Sequence, residues 1–427
     1  MPAAPSLLIV PYRSKTGKLY SQIPTSGAGD FTVTRDTTAR RFTSAGLIAS
    51  VASGIPRLDY LTSGGTAGCP ALLVEPAATN SILQSTDSAS GWTLSNSMTR
   101  ATIDVIGVSG VNLTVGASGS IGSAGSRYTS PLLTPALNLA SGSTYTISFF
   151  LKKTTAHTIG GYYATIGGAA AGDLGGGFDV SGSFSSGSIY NSALTTNRIR
   201  RVERWGTDVF RCSETFTMTA SGTIEKINLG VLTAVNSTTV APTGTTMGFA
   251  APQLELGSVP TSFIPTTTGT GSRSADVISV SGAVSGSIGQ TEGVLYIECE
   301  SNNGEDDVFN INRSAANAIT VYKNANNAYL GRIYHSSTSI IFTSASGVTG
   351  TVKIAIAYKS GDSTMYLNGS RVGTLNTTAI TFGAALNSLG VDKSSAFFSG
   401  IKPSRIRAVA LYNTRLTDAE LATLTTP

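Results

Sequence analysis

Apolar residues in this chain fall at every second position or in short unbroken runs, and almost never at the spacing of a helix face. Tyr145-Thr-Ile-Ser-Phe-Phe-Leu151 and Val294-Leu-Tyr-Ile-Glu-Cys-Glu300 are typical. A period of two places alternate side chains on opposite faces of a strand. Clusters of Gly, Ser, Asn and Pro divide these runs every eight to twelve residues, the pattern of a β sandwich or barrel. The middle of the chain predicts strands near 111–116, 144–153, 159–167, 186–191, 207–219 and 224–233. Thr364-Met-Tyr-Leu-Asn-Gly-Ser-Arg-Val-Gly-Thr374 predicts a hairpin, because Asn368-Gly369 supplies the two positive φ angles of a tight turn. The tail is the exception. After the alternating Ile406-Arg-Ala-Val-Ala-Leu-Tyr412, Thr417 stands three residues before Glu420, a capping box that opens a short helix.

Organisation follows from where the pattern changes. Residues 1–88 are short pieces punctuated by Gly and Pro, too irregular for a standard domain, and read as an extended N-terminal anchor segment. Residues 89–265 read as one antiparallel β sandwich and residues 277–427 as another. Between them, residues 266–276 (Thr266-Thr-Thr-Gly-Thr-Gly-Ser-Arg-Ser-Ala-Asp276) are small and polar, the composition of a flexible linker. No heptads or internal repeats are visible. The expected fold class is therefore all-β: an extended anchor followed by two antiparallel sandwiches.

Composition narrows the function classes. Only 12% of the 427 residues are charged, and the net charge is +5. Basic residues cluster only at Arg198-Ile-Arg-Arg-Val-Glu-Arg204 and Arg405-Ile-Arg407, which reads as a charged strand edge or an interface between subunits rather than a nucleic-acid stripe. No apolar run is long enough to cross a membrane, and the first residues lack the basic and apolar regions of a signal peptide. The 41% hydrophobic content argues against disorder. Cys69, Cys212 and Cys299 have no metal spacing; Cys299 alternates with Glu298 and Glu300 and is expected in a core.

Two stretches carry family resemblances. The hairpin at 364–374 and the phrase Leu411-Tyr-Asn-Thr-Arg-Leu-Thr-Asp-Ala-Glu-Leu421 together resemble laminin-G and concanavalin-like lectin sandwiches, over residues 275–427. In the N-terminal segment, Arg35, Gly46, Leu47, Ile48, Pro56, Arg57, Asp59, Tyr60, Leu72, Leu73, Glu75, Thr79, Asn80, Ser85 and Trp92 match a block found in tailed-bacteriophage head spikes and head fibres, with relatives in tail fibres; Ser81 departs from it where Leu is usual. The phrase Gln253-Leu-Glu-Leu-Gly-Ser-Val-Pro-Thr-Ser-Phe-Ile-Pro-Thr266 resembles the close of carbohydrate-binding-module-like jelly rolls in phage proteins.

These resemblances imply a bacteriophage virion structural protein, assembled in the bacterial cytoplasm. It would be a head fibre or spike, docked to capsid or tail proteins through its N-terminal segment. It would form a homo-oligomer, a trimer by analogy, and touch host surface glycans with its distal sandwich. A tail fibre or receptor-binding protein, a purely architectural capsid decoration protein and a glycan depolymerase stand as alternatives.

The residues themselves offer sparse chemistry. His157 and His335 lie at a strand end and on a strand, and neither has a partner spaced for metal or base catalysis. Glycosidases need two placed carboxyls. Glu298 and Glu300 share a strand face about 7 Å apart by strand geometry, and Glu305-Asp306-Asp307 reads as a turn. Gly-rich Asp173-Leu-Gly-Gly-Gly-Phe178 lacks the strand-to-helix context of a phosphate loop and reads as a plain loop. With no catalytic set defined, the chain reads as a binding protein. The concanavalin-like resemblance admits calcium as a cofactor, with Asp306, Asp307 and Asp392 as loop ligands. Tyr162, Tyr163, Tyr322, Tyr329 and Tyr334 are the aromatic candidates for stacking on sugars, with strand alternation allowing at most one of Tyr162 and Tyr163 outside.

Overall fold

Strand Thr144–Lys152 shows why its sequence is a continuous apolar run. It lies inside a six-stranded antiparallel sheet, between Thr246–Leu256 and Val209–Met218, with both faces covered. Ile147, Phe149 and Leu151 enter the core of the middle sandwich. Phe150 enters a second cluster on the opposite face, with Phe42, Trp205 and Phe263. Strands buried on both faces lose their alternation.

The computed structural model describes residues 4–62, 65–86, 91–123, 125–131, 137–167, 172–190, 193–301, 306–312, 317–324, 326–336, 338–392 and 403–427. Across them the fold is nearly all strand, as the pattern predicts. In the middle sandwich, the six-stranded sheet packs on a seven-stranded one, built around Gly222–Val231, Ile159–Gly167 and Gly172–Asp179. That last strand corrects the loop reading of 173–178. Its glycines are there for space: a side chain at Gly177 would strike the backbone of Val235, and one at Gly176 the Glu214 carboxylate.

The second sandwich is built from both ends of the chain. Its eight-stranded sheet runs Ser370–Asn376, Ser363–Leu367, Gly350–Lys359, Glu292–Ser301, Ser404–Tyr412, Gly65–Val74, Arg57–Thr62. Leu7–Ile9 also pairs with Ser404–Tyr412, matching Leu7 to Leu411 and Ile9 to Val409. Its nine-stranded sheet begins with Ser14–Lys15, Lys18–Leu19 and Phe31–Thr34, and continues through Val277–Ser281 to Thr338–Thr343. Leu7, Ile9, Phe31, Val33, Leu72 and Val74 share one core with Ile297, Ile319 and Leu411. The N-terminal segment is therefore not a separate extended anchor. Its pieces find hydrogen-bond partners about 240 to 400 residues along the same chain, as in Val33 with Ile278, Leu72 with Ile406 and Leu7 with Leu411, which local pattern cannot reveal.

The stretch 266–276 also differs from the flexible linker expected. Gly271–Arg273 pairs with Ala78–Asn80, matching Asn80 to Gly271. Thr266, Arg273 and Asp276 are buried. The middle sandwich is thus threaded in and out through a two-stranded ribbon. The expected helix forms at Asp418–Thr425. Thr417 Oγ1 accepts from the Glu420 amide at 3.3 Å, and the Thr417 amide donates to Glu420 at 2.9 Å. Leu421 packs with Leu416, Tyr412 and Tyr366 on the outside of the eight-stranded sheet. The hairpin turn has φ of 48° at Asn368 and 83° at Gly369.

Where the three parts meet, five charged side chains are buried together: Arg35, Arg57, Glu75, Arg273 and Asp276. Arg57 bridges Glu75 and Asp276. Arg35 holds the other oxygen of Asp276 at 3.0 Å, and Arg273 lies 3.1 Å from Glu75. Ser262, from the close of the middle sandwich, donates its amide (2.7 Å) and hydroxyl (2.6 Å) to Glu75. Nearby, the Asn80 side chain donates to the carbonyls of Pro252 and Ile264 and accepts from the Ile82 and Leu254 amides. Most polar positions of the phage-like block are thus internal fastenings. Burial alone pushes the Glu75 carboxyl upward; the guanidiniums of Arg273 and Arg57 and the Ser262 bonds overcome that and hold it well below the usual carboxylate range.

Residues 91–265 expressed alone are expected to unfold cooperatively in urea. Residues 277–427 alone give no native near-UV circular dichroism, and adding residues 1–86 in trans restores it. Glu75→Gln leaves buried guanidiniums uncompensated and lowers stability at pH 7 by about 3–5 kcal/mol. Because the folded pKa of Glu75 is depressed, its contribution is present above the unfolded value of about 4.3 and is lost as pH falls below that. Urea titrations from pH 7 to 3 therefore show a shallower decline for Glu75→Gln than for the wild type.

Candidate functional site

Alternation in the nine-stranded sheet sends Ile319 and Val321, Tyr329 and Ile333, Ile340 and Phe342 into the core. Their neighbours face the other way, and register aligns them in rows. Asn310, Thr320, Arg332 and Ile341 stand side by side across four strands. Tyr322 lies in the next row, paired with Leu330, and Tyr334 in the row beyond, paired with Ala318 and Ser339. The result is a guanidinium flanked by two half-buried tyrosines on the outer face of the sheet.

Arg332 is held in place. Its Cζ lies 4.2 Å from the ring centroid of Tyr334, a cation–π contact, and its Nη2 donates to Ser339 Oγ at 3.2 Å. Its Nε and the Oγ1 of Thr320 beside it are buried without a hydrogen-bond partner among the described residues. Burial pushes the Tyr322 phenol up, partly offset by Arg332. Ile341, at 49% exposure, extends the strip with an apolar edge. Such a surface offers ring faces to the C–H side of a sugar and N–H donors to its hydroxyl or carboxylate oxygens.

The structure sorts the other sequence candidates plainly. Tyr162 is fully buried and donates to Glu214 at 3.0 Å; Tyr163 is also buried and bonds Thr165 and Asp173, each at 2.9 Å. Tyr329 is in the core. Of the five tyrosines, only Tyr322 and Tyr334 come together on one outer face. Sequence reading missed Arg332, although its position between Leu330 and Tyr334 at i±2 placed it on Tyr334's face.

The carboxylate pair is occupied by neighbours. Glu300 is ion-paired with Arg407 and faces Arg405, and Glu298 accepts from Tyr296 at 3.3 Å. Asp306 and Asp307 open the strand Asp306–Ile311 rather than a turn, and Asp392 ends the strand Ser388–Asp392. Their side chains, and Glu305, lie outside the described residues. Among the described residues no cluster of His, Cys, Asp and Glu groups is arranged to hold a metal. His157 Nε2 lies 3.0 and 2.9 Å from the carbonyls of Ile159 and Leu232, His335 is buried beside Thr338, and Cys212 and Cys299 are core residues. Arg198 and Arg200, on the expected edge strand, turn onto the buried Glu214.

No protein-family model matches the chain, and no curated protein matches it. Several solved structures are similar over about a third of it. NanB sialidase from Streptococcus pneumoniae is 14% identical over 35% of this chain and 27% of its own, with a TM-score of 0.29. The CBM40 of the Ruminococcus gnavus IT-sialidase is 13% identical over 32% of this chain and 84% of its own, with a TM-score of 0.27. The binding domain of botulinum neurotoxin DC, in complex with rat synaptotagmin II, is 10% identical over 35% and 39%, with a TM-score of 0.28. The chain thus spans only about a quarter of the length of the sialidase it matches.

If the outer face is a ligand platform, its residues are separable from stability. Tyr322→Ala and Arg332→Ala are expected to abolish retention on a glycan array while moving the urea midpoint by no more than about 1 kcal/mol in stability, as befits half-exposed positions.

Proposed function

We propose that this protein is a structural component of a tailed-bacteriophage particle, a head fibre or spike, that contacts host surface glycans through the outer face of its C-terminal sandwich. The observation that carries the glycan part is the Tyr322–Arg332–Tyr334 strip, an aromatic and guanidinium surface on a rigid sheet. The particle assignment is supported by the N-terminal block resembling phage head fibres. Arg57 and Glu75 of that block bond Ser262 across the junction of the two sandwiches, and Asn80 fastens the connecting ribbon to the middle sandwich. In this reading docking to the particle belongs to the folded unit rather than to a loose N-terminal arm, and the protein works as a homo-oligomer, a trimer.

The test uses the full chain, since the N-terminal strands are part of the distal sandwich. Fluorescently labelled protein, its oligomeric state fixed by mass photometry, is applied to intact host bacteria in competition with phage adsorption. Saturable binding that blocks adsorption and disappears in Arg332→Ala is expected. Absence of binding by folded oligomer replaces host contact with an architectural decoration role.

A further inference from the structure

The two sandwiches do not close completely against each other. Between them lies a cleft of about 160 Å³, walled by the N-terminal hairpin Ala39–Phe42 and Ile48–Val51, the edge strand Thr195–Arg204 and the start of Ser404–Tyr412. Five guanidiniums line it: Arg40, Arg41, Arg201, Arg211 and Arg405. Three carboxylates line it too, but two are already engaged. Glu75 is held by Arg57 and Arg273, and Asp59 accepts the Leu61 amide at 2.8 Å and lies 3.8 Å from Arg405. Glu203 is exposed at the rim.

Apart from Arg405, which faces Asp59 and Glu300, the cations are not similarly matched. Arg41 donates to the Leu58 carbonyl at 2.7 Å, and Arg211 to the Thr261 carbonyl at 2.5 Å and Ser148 Oγ at 3.2 Å. Those acceptors are neutral. Arg211 is 5% exposed, its Nε has no partner among the described residues, and its guanidinium lies 5.5 Å from the ring centroid of Trp205. Among the described residues Arg40 has burial and no charged group acting on it, and Arg201 has only Glu203, at the exposed rim, as counter-charge. Burial pushes the guanidiniums of Arg40, Arg201 and Arg211 below their ordinary value, the mark of charge removed from water with too little counter-charge. An anion seated here offsets that cost. Planar guanidiniums favour a carboxylate, which they grip through paired N–H donors. Trp205 and Phe42 supply an apolar wall, and the volume suits one small molecule rather than a chain.

We propose that this interdomain cleft binds a single acidic sugar residue, a hexuronate, whose carboxylate is held by Arg40 and Arg201 and whose ring rests near Trp205. The site is distinct from the tyrosine strip and does not depend on it.

Isothermal titration of the full-length protein with glucuronate, glucose and sulfate tests this. Saturable glucuronate binding is expected, with none for glucose and weaker binding for sulfate. The Arg40→Gln/Arg201→Gln double variant weakens glucuronate about tenfold or more, and Arg201→Lys has an intermediate effect. Absence of glucuronate binding by wild type, or retention of full affinity by the folded double variant, overturns the assignment. Sulfate binding as tight as glucuronate, with the same loss in the double variant, overturns the sugar and leaves an inorganic anion site. Should the double variant fail to fold, Arg201→Lys decides: it folds with its charge kept, and unchanged affinity in it removes Arg201 from the site.

Discussion

The ion pairs of Arg57 with Glu75 and Asp276 are the constraint on which the rest of the molecule depends. Arg57 comes from the N-terminal segment, Glu75 from the strand that leads into the middle sandwich, and Asp276 from the segment that leads out of it. Ser262 ties the same carboxylate to the end of that sandwich. Charges so deeply buried contribute little net energy, yet leaving any one unpaired is expensive. Such a cluster therefore specifies one arrangement of three chain segments more than it stabilises them. Hydrophobic area does the stabilising, in two separate cores and a smaller aromatic cluster between them.

The same junction leaves a surplus of arginine where the sandwiches fail to meet. The chain is poor in charge overall, so this concentration is conspicuous. Two regions of the surface thus carry features suited to ligands, for different physical reasons. The outer sheet face presents rings fixed by strand register, whereas the cleft presents guanidiniums stranded by domain packing.

Much of the fold was legible. The capping box at Thr417 and Glu420, the Asn368-Gly369 turn and the strands of the middle sandwich all rest on short-range chemistry, and each formed within a few residues of its expected place. What local pattern hid was pairing at long range. Nothing around Leu7 announces that it lies opposite Leu411, and nothing around Arg273 announces that it is buried against Glu75. Gly172–Asp179 was hidden for another reason: its glycines answer to backbones and a carboxylate crossing close by, and turn propensity is blind to that. Of the candidate site, Tyr322 and Tyr334 were named among five tyrosines that composition could not rank. Only cross-strand register, which sets the two of them around Arg332, separates them from tyrosines in the cores. The N-terminal block was visible as a recurring phrase, but its polar residues gave no sign that they face inward.

The ribbon that pairs Asn80 with Gly271 brings the exit and return of the middle sandwich to one point. A unit that enters and leaves the chain at a single point is interchangeable in principle. Another domain whose ends lie one strand spacing apart can be spliced there, provided it brings its own equivalent of Ser262 to complete the Glu75 shell and an apolar face to cover Phe42 and Ile48.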